Sequence, residues 1–265
     1  MEILSGAIVA VFGLTFGSFL NVCIDRLPAK KSLVYPRSHC DVCQHQLSTR
    51  DLIPVISYLW LRGRCRYCQA KIPHRVLLVE ILSGVYFLLA FYRFGLSDEF
   101  VITVIYGCIF LVIMFIDLEH QLILNKVVYP AVVVALLILG ICSTLPCIGL
   151  VSNLVFLPES PILSGLIGGT IGFAFFMIVV LISPRGMGMG DVKLAGLIGL
   201  ITGFPLVLVA LLIGITTGGG AGVVLLLLRK KSRKEMIPFG SFLAFGLMVT
   251  LLYGQDLLSW YLGMF

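Results

Sequence analysis

The sequence predicts an all-α polytopic membrane protein with about eight transmembrane helices and one small cytoplasmic zinc-binding loop module. Hydrophobic residues make up 59% of the 265 positions and charged residues only 12%, whereas about a quarter of a soluble domain is charged. With a mean hydropathy of +1.09, the chain has too little polar surface to cover a soluble globule. Its apolar runs are long and continuous rather than alternating, which favours helices over a closed barrel.

Eight apolar segments approach the roughly 20 residues that a membrane-spanning helix needs. The 35 uncharged residues between Lys193 and Arg229 are too many for one helix, and Gly203-Phe204-Pro205 is the natural break within them. The predicted spans are Ile3–Cys23, Val76–Tyr92, Phe100–Ile116, Val127–Leu145, Ile162–Ser183, a short one at Val192–Thr202, Leu206–Leu228 and Ile237–Tyr253.

These segments predict three regions along the chain: a first transmembrane helix at 1–23, a cysteine module at 24–75 and a multi-span bundle at 76–265. The first span has no basic start and no obvious cleavage site, so we expect it to be retained. The polar stretch Asp25–Arg75 is too small to form a stable hydrophobic core without a cross-link such as a structural metal or a disulfide.

Basic residues fix the predicted orientation. If Asp25–Arg75 lies in the cytoplasm, 18 of the 19 Lys and Arg residues fall in cytoplasmic segments, and only Arg93 lies outside. The positive-inside rule then places both termini on the outer side. This topology, with contact to anionic membrane lipid, explains the net charge of +6. We therefore expect lipid and no nucleic acid as a partner.

The cysteine module contains Cys40-x-x-Cys43 and Cys65-x-x-Cys68, with 21 residues between the two pairs. Two such pairs supply four thiolates, the set that suits tetrahedral zinc. Structural disulfides are disfavoured in the reducing cytoplasm. A structural zinc staple is favoured over a redox or catalytic zinc, because four protein ligands leave no open coordination position.

Two aspartates lie at span ends, on the same predicted side of the membrane. Asp117 ends the third span and Asp191 opens the sixth, 74 residues later. An ionisable residue at membrane depth is a functional candidate. Each could instead be an interfacial charge or a helix cap, and Asp191 could cap the helix that it opens.

A pair of carboxylates suits peptide hydrolysis because two such groups in one site share a proton. The ionised one takes a proton from a water that attacks the carbonyl, and the protonated one donates to the carbonyl oxygen. Gly186, Gly188 and Gly190 alternate with methionines, which predicts an extended or looped segment rather than a helix. Such glycines would let a substrate strand approach the backbone closely.

These residues resemble the type IV prepilin peptidases, a family of bifunctional leader peptidases and N-methyltransferases. The resemblance covers nearly the whole chain, with the motifs in the family's order. The matching segments are Gly17–Val22 followed by Arg26-Leu27-Pro28, the second cysteine pair in Leu61–Cys68, Phe115–Leu118 around the first aspartate, and Gly188–Lys193 as GxGDxK.

The resemblance implies an activity and its site residues. The enzyme would cleave the basic leader from prepilins or pseudopilins after a glycine, then methylate the new N-terminus with S-adenosylmethionine. It would sit in the bacterial inner membrane, with its active site facing the cytoplasm, and serve a type IV pilus or type II secretion. The implied residues are Asp117 and Asp191 for catalysis, Cys40, Cys43, Cys65 and Cys68 for zinc, Arg75 for a cofactor carboxylate and Glu80 for the substrate ammonium.

Two alternatives remain at this point. An intramembrane GxGD aspartyl protease without methyltransferase activity would use the same aspartates, but such proteins lack the N-terminal pair of CxxC motifs. A transporter or zinc-stapled scaffold would use the aspartates as a proton relay.

Overall fold

The computed structural model describes residues 2–144, 161–182, 187–228 and 238–264. These residues contain helices and no β-strand, which confirms the predicted all-helical fold. The elements are α1 Glu2–Arg26, a 3₁₀ turn at Thr49–Leu52, α2 Ile56–Trp60, α3 His74–Phe94, α4 Asp98–His120, α5 Asn125–Thr144, α6 Pro161–Ile182, α7 Met189–Thr202, α8 Leu206–Leu227 and α9 Phe239–Leu262.

Seven of the described helices are long and apolar enough to cross a membrane, namely α1, α3, α4, α5, α6, α8 and α9. The predicted short span at Val192–Thr202 lies within α7, which has 14 residues. At 1.5 Å per residue α7 is about 21 Å long, short of the roughly 30 Å hydrocarbon core. The predicted break at Gly203-Phe204-Pro205 is confirmed, since α7 ends at Thr202 and α8 begins at Leu206.

Local sequence signals set the turn between α3 and α4. Gly95 follows α3 with a φ of 64°, and its N–H bonds to the Phe91 carbonyl at 2.8 Å, as expected of a glycine that closes a helix. Ser97 Oγ then accepts the N–H of Phe100 at 3.3 Å. Two acidic residues follow in the first turn of α4, where the helix dipole favours them.

The chain divides into two compact units, Met1–Val112 and Ile113–Phe265. In the first unit, α1 packs closely against α3. A Cβ at Gly17 would lie 2.7 Å from Glu80 Cα, and one at Gly13 would lie 2.9 Å from Gly84 Cα. Glycine therefore sets the close approach of these two helices.

In the second unit, α6 and α7 make the same kind of contact. A Cβ at Gly168 would overlap the Gly199 carbonyl oxygen, a Cβ at Gly199 would overlap the Gly168 carbonyl oxygen, and Gly172 faces the Ala195 carbonyl in the same way. The apolar side chains of α7 at Val192, Leu194, Leu197 and Ile198 are at most 1% exposed. Thus α7 is buried by neighbouring helices, and Asp191 lies in the first turn of this buried helix.

Candidate functional site

Asp117 lies in the last turn of α4 and is 4% exposed. Its Oδ2 accepts the backbone N–H of Ser241 at 2.7 Å, across 124 residues of sequence. Ser241 is in the first turn of α9, where unpaired N–H groups and the positive end of the helix dipole favour a carboxylate. A Cβ at Gly240 would lie 3.1 Å from the same Oδ2. The glycine therefore leaves room for the carboxylate at the start of α9.

Asp191 lies in the first turn of α7, and its carboxylate reaches back to the residue before the helix. Oδ2 accepts the Gly188 N–H at 3.3 Å, and the Asp191 N–H bonds to the Gly188 carbonyl at 3.1 Å. The capping role considered for this residue is thus present.

The expectation that the glycine segment is extended is wrong for Met189 and Gly190. Both residues are helical, because Gly188 in extended backbone and Asp191 three residues later form a helix-starting pair. Gly188 itself agrees with the expectation, and Gly186 lies outside the described residues.

The loop between α4 and α5 joins the two aspartate sites. A Cβ at Gly190 would lie 3.0 Å from Ile123 Cβ, and one at Gly240 would lie 2.8 Å from Ile123 Cδ1. Ile123 therefore packs between the residue before Asp191 and the glycine beside the Asp117 carboxylate. The structure thus brings together the two aspartates singled out from the sequence.

The electrostatics of the pair suit a shared proton. Burial first, and then the charge of Asp117, raise the pKa of Asp191 to about 6. Two carboxylates in one site disfavour double ionisation, while the two helix N-termini favour retention of one negative charge. The pair can therefore hold one proton between them up to about pH 6.

Lys193 ties α7 to α5 beside this site. Its Nζ donates to Asn125 Oδ1 at 3.2 Å and to the Tyr129 hydroxyl at 3.3 Å, and it lies 5.5 Å from the centre of the Tyr129 ring. Because Asn125 begins α5, this bond fixes one end of the loop that carries Ile123. Lys193 is part of the GxGDxK match in the sequence, but neither that motif nor its charge predicts its bonds to Asn125 and Tyr129.

The four predicted zinc ligands converge. The sulfurs of Cys40, Cys43, Cys65 and Cys68 all lie within 4.8 Å of one another. Four sulfurs about 2.3 Å from one zinc ion at tetrahedral angles would be about 3.8 Å apart, and the Cys40 and Cys68 sulfurs are 3.8 Å apart. The residues therefore fit zinc.

The two cysteine pairs have the same backbone fold. In the first, the Cys40 N–H bonds to the His45 carbonyl and the Gln44 N–H bonds to the Cys40 carbonyl. The second repeats both bonds with Cys65, Ala70 and Gln69. Each glutamine has a positive φ, 55° and 59°. The pair of matching turns presents four sulfurs to one point.

Replacing Cys43 with serine should remove most of the bound zinc, because the substitution replaces one of four thiolates with a weakly coordinating hydroxyl. The ratio of zinc to purified protein, measured by elemental analysis under reducing conditions, checks this expectation. Cys142→Ser, in α5 and outside the cluster, is the matched control and should keep its zinc. Equal zinc in the two variants would contradict the four-cysteine site.

Arg75 and Glu80, the residues linked by resemblance to the cofactor, are both held by protein partners. The Arg75 guanidinium pairs with Asp25 Oδ1 at 2.6 Å, and its side chain is 12% exposed. Glu80 is buried, and its Oε2 accepts the Val55 N–H at 2.8 Å. Nearby, Asn21 Nδ2 donates to the Val76 carbonyl at 3.0 Å. Two of these contacts tie α1 to α3, and the Val55 contact ties the loop of the cysteine module to α3.

Comparison with known proteins gives one consistent family. Residues 11–94 match the family described as Bacterial Peptidase A24 N-terminal domain, and residues 104–223 match the Type IV leader peptidase family. Three similar proteins, each named prepilin leader peptidase/N-methyltransferase, come from Bacillus subtilis, Aeromonas salmonicida and Legionella pneumophila. They are 28%, 30% and 30% identical, over 97% of this chain in each case and 98%, 93% and 94% of their own lengths. No solved structure gives a significant match.

Proposed function

We propose that this chain, which belongs to the type IV leader peptidase family, cleaves the leader from type IV prepilins or pseudopilins and N-methylates the new N-terminus. The observation that carries the proposal is the meeting of Asp117 and Asp191 at the N-termini of α9 and α7. Family membership supplies the substrate class and the second activity. We place the active site on the cytoplasmic face of the inner membrane, the side indicated by the basic residues.

Cleavage proceeds through one water and the aspartate pair. The ionised carboxylate takes a proton from the water, whose oxygen attacks the scissile carbonyl carbon, while the protonated carboxyl donates to the carbonyl oxygen. The tetrahedral intermediate then breaks its C–N bond as one of its hydroxyls returns a proton to the ionised carboxylate, and the leaving amine takes the proton from the protonated one. The backbone bonds use Oδ2 of each aspartate, so we assign Oδ1 of each to water and substrate. Neither residue receives a fixed role, because they share one proton.

The rate of cleavage should fall as pH rises through the higher apparent pKa of the pair, about 6. The sign follows because the pKa of Asp191 is raised to about 6, so the shared proton is present below that pH and lost above it. The measurement is kcat/KM for a prepilin across pH, with circular dichroism confirming that the protein stays folded. A rate that stays constant as the medium becomes alkaline would contradict a shared-proton mechanism.

The second activity is assigned to the cysteine module at 24–75, and cleavage to the bundle at 76–265. S-adenosylmethionine, when bound, supplies the methyl group. Arg75 and Glu80 are the proposed contacts to the cofactor carboxylate and to the substrate ammonium. Since Asp25 and Val55 already hold them, binding would share or exchange those bonds. Zinc is proposed as the structural ion of the four cysteines, and the converged sulfurs support it.

One reconstitution separates the two activities. Purified protein and a prepilin are placed in the same vesicles, with and without S-adenosylmethionine labelled on its methyl group. We expect leader removal under both conditions, and label in the mature pilin only when the cofactor is present. Cleavage without label would favour the protease that lacks methyltransferase activity. No cleavage by zinc-loaded, folded protein would overturn the proposal.

A further inference from the structure

The short helix α2, Ile56–Trp60, has one face held by the protein and one face exposed. On the held side, the Tyr58 hydroxyl and His74 Nδ1 are hydrogen-bonded at 2.8 Å. The exposed face carries Ile56, Leu59 and Trp60, which are 61%, 62% and 81% exposed, and Ile53 beside it is 45% exposed. Positions 56, 59 and 60 follow the i, i+3, i+4 spacing of a single helix face.

The bonds on the held side fix the depth of α2 relative to the membrane-spanning helix α3. Glu80, which accepts the Val55 N–H at 2.8 Å, is six residues into α3, about 9 Å along its axis at 1.5 Å per residue. His74, which bonds to Tyr58, is the first residue of α3. The helix α2 is therefore held beside the first two turns of α3, the part of this candidate span that would lie nearest the headgroups of a bilayer crossed by α3.

The backbone at the start of α2 is strained in a way that maintains this placement. Val55 has a φ of 60°, which is unfavourable for a β-branched residue. Such a conformation persists only where the surroundings hold it. The buried carboxylate of Glu80 does so through the Val55 N–H. The direction in which α2 leaves the bundle is thus fixed by the fold.

The residues that flank α2 in sequence are basic. Arg50, Arg62, Arg64 and Lys71 are all exposed. The sequence from Arg50 to His74 contains one acidic residue, Asp51, whose carboxylate is 3% exposed and pairs with Arg66 at 2.7 Å. The exposed charge that flanks α2 in sequence is therefore positive, which complements an anionic lipid surface.

We propose that the exposed face of α2 is an interfacial membrane anchor for the cysteine module, with Ile56, Leu59 and Trp60 inserted below the headgroups and the surrounding Arg and Lys side chains bound to anionic lipid. Tryptophan at a membrane interface, an apolar helix face and flanking basic residues are the features of such anchors. Both ends of the module are tethered by candidate spans, so the lipid surface is within reach without a separate binding event. This goes beyond the proposed enzymatic function and does not depend on it.

Trp60 can report its own surroundings. The chain has two tryptophans, Trp60 and Trp260, so Trp260→Phe leaves Trp60 as the sole indole. This full-length variant is reconstituted into phosphatidylcholine vesicles, with or without phosphatidylglycerol, containing lipids brominated at shallow acyl positions. We expect these lipids to quench most of the Trp60 emission and aqueous acrylamide to quench little of it. The lipid quenching should increase with phosphatidylglycerol, and that increase should disappear in high salt.

Two substitutions test whether the face itself is responsible. Leu59→Asp in the Trp260→Phe background should lose most of the bromolipid quenching, whereas Leu59→Met should retain it. Zinc content, unchanged in both, shows that the cysteine module has kept its fold. Strong acrylamide quenching of Trp60 with no response to bromolipids would overturn the proposal. Shielding of Trp60 that appears only on addition of a prepilin, or only on dimer formation, would assign the face to a protein partner instead and also overturn it.

Discussion

Replacing either Asp117 or Asp191 with asparagine lowers leader cleavage by about 10³-fold or more, because each variant removes the group that shares the catalytic proton. Asparagine has nearly the same shape as aspartate, and its amide oxygen can still accept the backbone N–H of Ser241 or Gly188. The helix starts of α9 and α7 should therefore be retained. The rate is measured with purified prepilin under single-turnover conditions.

The matched control for these variants is Asp256→Asn, since Asp256 is an exposed residue near the far end of α9. It should cleave at the wild-type rate. Zinc content and thermal unfolding of all three variants should match the wild type, which separates loss of chemistry from loss of fold. If Asp117→Asn or Asp191→Asn cleaved as fast as Asp256→Asn, the two aspartates would not form the catalytic pair.

Replacing Gly168 with leucine should prevent α6 and α7 from packing. A Cβ at that position would overlap the Gly199 carbonyl and approach Gly203 Cα within 2.9 Å. Both neighbours are backbone atoms, which cannot rotate away, so we expect a loss of about 3 kcal/mol or more. Against a typical total of about 5–15 kcal/mol, that loss leaves a much smaller stability margin, so we expect less folded protein to survive detergent extraction. Size-exclusion chromatography after detergent extraction measures the folded fraction.

Gly219→Leu is the control for this substitution. Gly219 is also a glycine within a helix, in α8, but an added Cβ there would have no other atom within 4 Å. This variant should extract and elute like the wild type. Equal recovery of Gly168→Leu and Gly219→Leu would show that the backbone contact between α6 and α7 is not required.

Sequence alone predicts the long helices well, because a run of about 20 apolar residues in lipid has few conformations other than a membrane-spanning helix that satisfy its backbone hydrogen bonds. It does not separate α7 from the membrane-spanning helices. The apolar side chains of α7 are buried against protein rather than lipid, and hydropathy does not distinguish these two surroundings. The difference arises from the glycine contacts of Gly168 and Gly199, which join segments far apart in the chain.

In the candidate site, too, the sequence predicts local features but not contacts between segments that are far apart in the chain. Asp117, Asp191 and the cysteines are recognisable from residue type and spacing. The Ser241 N–H that bonds to Asp117 cannot be recognised in the same way. It lies 124 residues away in the sequence, and every non-proline residue offers a backbone N–H. The similar backbone of the two cysteine turns could have been predicted from the sequence, because a glutamine, Gln44 or Gln69, directly follows each CxxC pair.

The most direct test of the account is the intact mass of a type IV pilin purified from cells that lack their own leader peptidase and co-express this chain. With the wild-type chain, the pilin should lack its leader and carry one methyl group on the new N-terminus. With Asp191→Asn, it should retain the full leader and no methyl group. A pilin that keeps its leader with the wild-type chain, or loses it with Asp191→Asn, would contradict the assignment of cleavage to the aspartate pair.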